Sequence, residues 1–492
     1  MADFGFVGTS YTAPSIYQDD QECINFFAEI DPTKQQGERG IVALYPTPGL
    51  QLQTQLVPSE VRGLHTMSGE QILIAVAGNI VYQVNTSMVA TQIGTLTTST
   101  GQVSISDNIT NADGLIAYIV DGPNRYTWVV ATNTFAQLPS TDGPWQGATV
   151  VDVIDNYNIY NEPNSQNWAC TDLGSRLSTQ ALYGTSDGSS DLLVTLIADR
   201  RQVYLLGETT TEVWTDVGNV IAGITTFPFQ RVPGTFSQSG IGARFSLARF
   251  ADSFVCVAKD TRGDSTIEMM QGYTWVKIST HAVEQSLMNQ VTSDAFAYTY
   301  QIEGHEMYVC TFPSVGEHGL TWVYDGSTKS WHKWLYWDSA NAVYKRHRSN
   351  CGAYFNNMYI VGDYENGKLY SVENDVYTDD GATIRRLRRA KHLTTDLQRQ
   401  YFEEFQIQFQ PGVGLNVGQG QDPQAMLRWS NDGGSTWSNE HWVTIGKIGQ
   451  YLNRAIWRRL GWSRDRIFEV VLTDPIKAVI VSANLKSSAG DN

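Results

Sequence analysis

The residues of this 492-residue chain that could do chemistry are few and scattered. Among its eight histidines, His65, His281, His305 and His318 stand alone, and His332, His347, His392 and His441 sit beside charged or aromatic residues. No pair is spaced i, i+4 and no H-E-x-x-H occurs, so a helix-borne zinc site is not indicated. The five cysteines, Cys23, Cys170, Cys256, Cys310 and Cys351, are odd in number, far apart and without a C-x-x-C pair. That argues against a zinc site or a disulfide framework and fits a reducing compartment. No Walker loop and no dinucleotide-binding fingerprint is present. With 50 Asp and Glu, a carboxylate pair for acid–base work is available, but no spacing selects one. The sequence therefore assigns no catalytic residue, no metal ligand and no cofactor.

One motif is sharp. Ser430-Asn431-Asp432-Gly433-Gly434-Ser435-Thr436-Trp437 fits S-x-D-x-G-x-T-W, the Asp-box of sialidases and related propellers. Its physics is local: Ser430 and Asp432 can bond turn backbone groups, Gly434 can take φ > 0, and Thr436 and Trp437 close the hairpin. It is a folding device with no group placed for chemistry. Asp325-Gly326-Ser327-Thr328-Lys329-Ser330-Trp331 is a similar turn that does not match the box. Two basic clusters remain as candidate contacts to DNA or to an acidic partner. One holds Lys345, Arg346 and Arg348; the other holds Arg385, Arg386, Arg388, Arg389 and Lys391. Such runs also occur as solvated faces or ion-paired interfaces.

These groups must be positioned by strands. Asp191–Gly218 reads as three, Leu192–Ala198, Val203–Leu206 and Thr211–Thr215, broken at Asp199-Arg200-Arg201 and at Gly207–Thr210. Such a unit is too small to bury its own apolar face. Rough copies follow from about Arg62 to Val372, giving about seven units roughly 40–55 residues apart, the spacing of β-propeller blades. Six or eight blades remain open, and an array of β-sandwiches is the competing fold. The 43 Gly, 24 Tyr and 14 Trp suit many short turns and pleated surfaces. Helical patterning is confined to His281–Asn289 and Arg385–Arg399.

Flanking the array are two further segments. Residues 1–60 predict an extended arm, with strands at Cys23–Ile30 and Gly40–Tyr45, a polar loop at Thr33–Arg39 and a firm break at Pro46-Thr47-Pro48-Gly49. Residues 61–375 form the propeller. Residues 376–492 carry six or so strands, from Glu404–Gln410 to Ala478–Leu485, and predict a separate β-sandwich-like domain. The fold expected is all-β. Charge divides at the same place: residues 1–375 are net −19 and residues 376–492 net +3. An acidic body does not wrap nucleic acid by releasing counterions, although it could line a conduit that DNA passes without sticking. MADFGFVGTSYTAPSIYQDDQ has no basic and apolar regions of a secretory signal, and no apolar run approaches a membrane span.

Taken in order, several stretches resemble one known family, the packaged-DNA stabilisation proteins (tail hub or nozzle proteins) of short-tailed bacteriophages. In the arm the resemblance lies in Cys23–Glu29 and Thr47-Pro48-Gly49-Leu50. In the array it lies in Asp191–Val194, Val203–Gly207 with Thr210–Trp214, Gly304–Tyr308, and Thr321–Asp325. It continues through Asn453–Leu460 and Ile467–Leu472. Asn-Trp-Tyr is the more usual form where this chain has Asn25-Phe26-Phe27.

The resemblance implies a propeller with a β-rich second domain and a homo-hexameric ring below the portal and its head-to-tail adaptor. Such a ring closes the tail channel over the genomic double-stranded DNA. It also connects to tailspikes or fibres and to a needle or plug. Location would be the virion tail, assembled in the host cytoplasm, with no membrane insertion and no enzymatic activity. Reversing Arg385, Arg386, Arg388 and Arg389 together is then expected to block assembly and leave the monomer folded. Two readings of other classes stay open: a carbohydrate-active propeller, sialidase-like or lectin, and a receptor-binding adhesin.

Overall fold

In the computed structural model, residues 2–34, 41–218, 220–221, 224–259 and 263–490 are described. Most of the polar loop expected at Thr33–Arg39 lies outside them. Seven four-stranded antiparallel blades follow one another: five are sheets of their own between Val61 and Lys277, the sixth (Phe296–Lys333) and the seventh (Ser349–Glu373 with Gly49–Gln55) are parts of larger sheets. Their inner strands are Val61–Thr66, Ser104–Thr110, Val151–Ile154, Leu193–Asp199, Ala248–Phe250, Phe296–Ile302 and Ser349–Phe355. The fold is a seven-bladed propeller, and the unit Asp191–Gly218 is the first three strands of blade 4. Its fourth strand, Phe229–Arg231, pairs with Thr211–Asp216 after a gap in sequence. That gap is why a local reading finds only three strands.

Burial on both faces explains the apolar runs. The second strand of blade 1, Ile72–Ala77, sends Leu73, Ala75 and Ala77 into the core shared with blade 7, and Ile74 and Val76 into the core shared with blade 2. In blade 4, Val203 and Leu205 face blade 3, and Tyr204 and Leu206 face blade 5. Period-two alternation here separates one core from the next rather than core from solvent. Each blade thus contributes to two cores and none is complete alone.

The ring is closed from the arm. Gly49–Gln55 pairs antiparallel with Lys368–Glu373 and supplies the fourth strand of blade 7. Blade 7 therefore joins the two ends of the propeller in one sheet, which removes its free edge.

The second unit is a two-sheet β-sandwich. One sheet runs Phe26–Ile30, Val42–Pro46, Ile480–Ala489, Gln400–Phe409, Ala455–Arg458. The other holds Arg386–Arg389, Asp465–Leu472, Gln424–Ser430 and His441–Thr444. Phe26, Leu44, Phe405, Ile407, Leu427, Phe468 and Val470 fill the core between them. The arm strand Asp20–Ile24 pairs antiparallel with Arg386–Arg389 and meets the blade 6 strand Ser330–Lys333 in parallel at Ile24 and Lys333. Blade 6 and one sheet of the sandwich are thereby a single sheet of eleven strands.

Of the two helical stretches expected, His281–Leu287 is a helix. Arg385–Arg399 is not: it contains the strand Arg386–Arg389. Its neighbours on both sides are strands, and sheet pairing overrides a weak helical preference. Among the described residues no helix is long and apolar enough to cross a membrane.

Candidate functional site

The Asp-box forms the turn after Gln424–Ser430. Ser430 Oγ donates to Asp432 (2.7 Å) and accepts the Gly434 amide (2.8 Å). Asp432 accepts the Thr436 amide (2.8 Å) and hydroxyl (2.6 Å). Gly434 has φ +98°, which a side chain rarely tolerates. Trp437 Nε1 donates to the Gly434 carbonyl (3.1 Å). The Thr436 hydroxyl and amide bonds hold the Asp432 carboxyl down to about 2. Both its oxygens are occupied by the turn, so none is left to act on a substrate. The box also faces the arm. The guanidinium groups of Arg389 and Arg428 lie over the Trp437 ring at 4.9 and 4.7 Å. Both donate to the fully buried Glu469, and Arg389 reaches Asp20.

The basic cluster at Arg385–Lys391 is largely internal. Arg386 and Arg388 have no exposed surface, so neither can meet DNA or a partner in this fold. Arg388 donates to the carbonyls of Phe6 (2.6 Å), Thr9 (2.9 Å) and Glu22 (3.3 Å), which pins the first residues of the arm. Arg386 donates to the Asp474 carbonyl (3.3 Å), lies 5.7 Å from the centre of the Tyr377 ring and faces the buried Asp379 carboxylate; its Nε and Nη2 make no hydrogen bond. Arg385 stacks on Trp337 (4.7 Å) and donates to the Tyr344 hydroxyl (2.8 Å). Lys391 is exposed. In the other cluster, Lys345 pairs with Asp338 (2.7 Å). Arg348 forks onto Asp363 (2.6 and 2.8 Å) and reaches Glu365 (3.1 Å). Arg346 lies 4.0 Å from the centre of the Tyr364 ring and 5.7 Å from that of Phe296. The two clusters are thus not one basic face; most of their charge is spent inside the chain.

Two residues that sequence reasoning passes over matter more. Asn25, wholly buried and at φ +58°, ends the strand Asp20–Ile24 and bonds both blade 6 and the sandwich entry. His305 lies between Asp325 (2.8 Å) and Glu29 (2.5 Å) and so ties blade 6 to the arm strand Phe26–Ile30. An Asn in the left-handed region between two apolar runs is a readable signal for the first; nothing local signals the second.

One catalytic signature does occur in the letters. Gly184-Thr185-Ser186-Asp187-Gly188 fits G-x-S-x-G, the nucleophile elbow of hydrolases. Its setting is wrong. It follows the outer strand of blade 3, Tyr183–Thr185, with no helix after it. Ser186 is buried, and among the described residues its hydroxyl makes no hydrogen bond to a histidine. Among the described residues no group of three His, Cys, Asp or Glu is placed to hold a metal ion.

Along the propeller axis lie two cavities, of about 810 and 290 Å³, which share Arg244 and Phe245. In the smaller, deeper one the charged walls are paired: His65 with Asp107 (2.7 Å) and Arg249 with Asp152 (3.0 Å).

Comparison with known proteins gives the family. One family model, bacteriophage P22 Gp10, β-propeller, matches residues 17–377, and a second, bacteriophage P22 Gp10, β-sandwich, matches residues 385–488. No curated protein matches. Two solved structures are similar at low scores. The Myceliophteria thermophila Cps50 (Swd1) β-propeller domain is 7% identical at TM-score 0.40, over 66% of this chain and 99% of that one. A chain of the Mitotic Checkpoint Complex is 12% identical at TM-score 0.39, over 70% and 97%.

Proposed function

This chain belongs to the bacteriophage P22 Gp10 family, and from that premise we propose that it is a non-enzymatic structural protein of the phage tail that stabilises packaged DNA. In the finer reading it is a nozzle subunit: six copies form a ring below the portal and adaptor, close the channel and anchor tailspikes or fibres and a needle. The virion tail is its location, and host cytoplasm the site of assembly. We retain the division into arm 1–60, propeller 61–375 and sandwich 376–492, with Gly49–Gln55 shared between arm and blade 7.

The observation that carries the reading is the continuous sheet from blade 6 through Asp20–Ile24 into the sandwich. A hinge between the two units would have to break strand pairing, and a part that resists the pressure of packed DNA needs such a rigid joint. In this reading the DNA conduit is a channel enclosed by several copies. An acidic wall, net −19 over residues 1–375, suits passage without adhesion. Exposed Lys391 and surface-facing Lys345 remain candidate partner contacts.

Negative-stain imaging of the purified chain mixed with its adaptor tests this: six-fold rings are expected, and monomers alone in the mixture would refute it. Cleavage of a generic sialoside by the purified chain would favour the carbohydrate-active reading instead.

A further inference from the structure

The larger cavity on the propeller axis has no part in the reading above. It opens where the inner strands enter, and its volume of about 810 Å³ is that of a small-molecule site, about 300–1,000 Å³. Three cations line it: Arg244 before the inner strand of blade 5, Lys259 at the end of that blade's second strand, and Arg346 on the link into blade 7. None makes an ion pair among the described residues. Arg244 spends only Nε, on the Val194 carbonyl (2.9 Å), and Arg346 makes one long bond to Asn350 (3.5 Å).

We propose that this cavity binds a small phosphate-bearing molecule through Arg244, Lys259 and Arg346. None of the three is held by a carboxylate at ion-pair distance among the described residues, so their remaining donors are open to a ligand in the cavity. Burial pushes the Arg244 guanidinium below its ordinary value with no carboxylate to offset it. An incoming oxyanion supplies that missing charge, and a guanidinium with free Nη groups suits the geometry of phosphate oxygens. Glu60, Glu208 and Asp294 stand on the same wall. They repel a long polyanion such as duplex DNA and offer acceptors for hydroxyl groups, which favours a small hydroxylated phosphate ester over a nucleic acid. Phe245 and Phe296 add an apolar wall.

The test is isothermal titration of the full chain with inorganic pyrophosphate, ribose 5-phosphate and ribose. Saturable binding of ribose 5-phosphate or pyrophosphate, but not of ribose, is expected; the stronger of the two identifies a sugar phosphate or a free phosphate as the preferred class. Arg244→Ala and Lys259→Ala should each weaken binding about tenfold or more. Lys259 is exposed, so its variant will fold even where Arg244→Ala does not. No heat with either phosphate, ribose binding as tightly, or an unchanged affinity in Lys259→Ala overturns the proposal.

Discussion

Asn25 and Leu335 hold each other at two points: the Asn25 amide donates to the Leu335 carbonyl (2.9 Å), and the Leu335 N–H donates back to Asn25 Oδ1 (2.8 Å). The same amide donates to the Arg385 carbonyl (2.9 Å), and the Asn25 carbonyl accepts from Thr47 (3.1 Å). One wholly buried residue therefore joins three parts: its side chain holds the chain just after blade 6 and the entry to the sandwich, and its backbone bonds Lys333 at the end of blade 6 and Thr47 at the turn of the arm.

Asn25→Ala should cost about 3–5 kcal/mol, since it leaves three buried backbone groups unbonded and places Ala in the left-handed region. Asn25→Gly restores the backbone freedom and should cost about 1 kcal/mol less. Urea titration measures both. If Asn25 couples the two units, the variants will unfold in two steps where the parent chain unfolds in one; a single unshifted transition in Asn25→Ala would refute the coupling.

His305 makes the joint between arm and blade 6 sensitive to pH. Its bonds to Asp325 and Glu29 outweigh burial and raise it from 6.5 to about 9. The folded state thus favours the protonated ring. The stabilisation is complete below about pH 6.5 and is lost as pH rises through 9. Half-exposed Glu29 is screened by water, so the expected contribution is about 1–2 kcal/mol rather than the full shift. His305→Gln should remove it. Unfolding free energies of parent and variant measured from pH 6 to 10 should converge at the alkaline end; a constant difference would show that the ring is neutral throughout.

Much of this architecture was legible in the sequence. Apolar runs such as Leu192–Ala198 announced strands, and the spacing of the units announced the propeller with about seven blades; that these strands are buried on both faces is shown by the structure. The closure by Gly49–Gln55 was not legible, because the strand that completes blade 7 lies about three hundred residues from its partner and no local pattern encodes such a pairing. The basic run at Arg385–Lys391 misled for a related reason. Charge at spacing i, i+2 on a strand looks like an outer face, yet here Arg386 and Arg388 point into a layer between the sandwich and the arm, where carbonyl groups rather than water receive the Arg388 guanidinium. Composition reports how many charges a segment holds and not what covers them.

Reversing the four arginines together will therefore not leave a folded monomer. Arg388→Glu places a carboxylate among carbonyl oxygens, and Arg386→Glu places one against the buried Asp379, each without exposure to water, at a cost of about 3–5 kcal/mol or more. Either variant should be insoluble or lack the cooperative transition seen by circular dichroism. Lys391→Glu, at an exposed position, should fold like the parent. It is then the variant in which a defect in ring formation can be assigned to the surface. Soluble, native-like Arg388→Glu would contradict the internal role argued for that side chain.

The Asp-box prediction separates folding from chemistry. Asp432→Ala removes the acceptor of the Thr436 amide and hydroxyl and frees Ser430 Oγ. Without the turn, Trp437 loses its support at the Gly434 carbonyl, and the stack of Arg389 and Arg428 over its ring loosens. Amide exchange in the segment 430–438 should speed up several-fold at neutral pH, and that of Asp20–Ile24 should rise with it, because Arg389 connects the two. Blades 1 to 5 touch none of these residues and should keep their protection. Acid should mimic the variant: the contribution of Asp432 is present above its ordinary value near 3.8 and is lost as pH falls through about 2. A variant whose exchange changes only within the hairpin would confine the box to local folding and remove it from the joint between sandwich and arm.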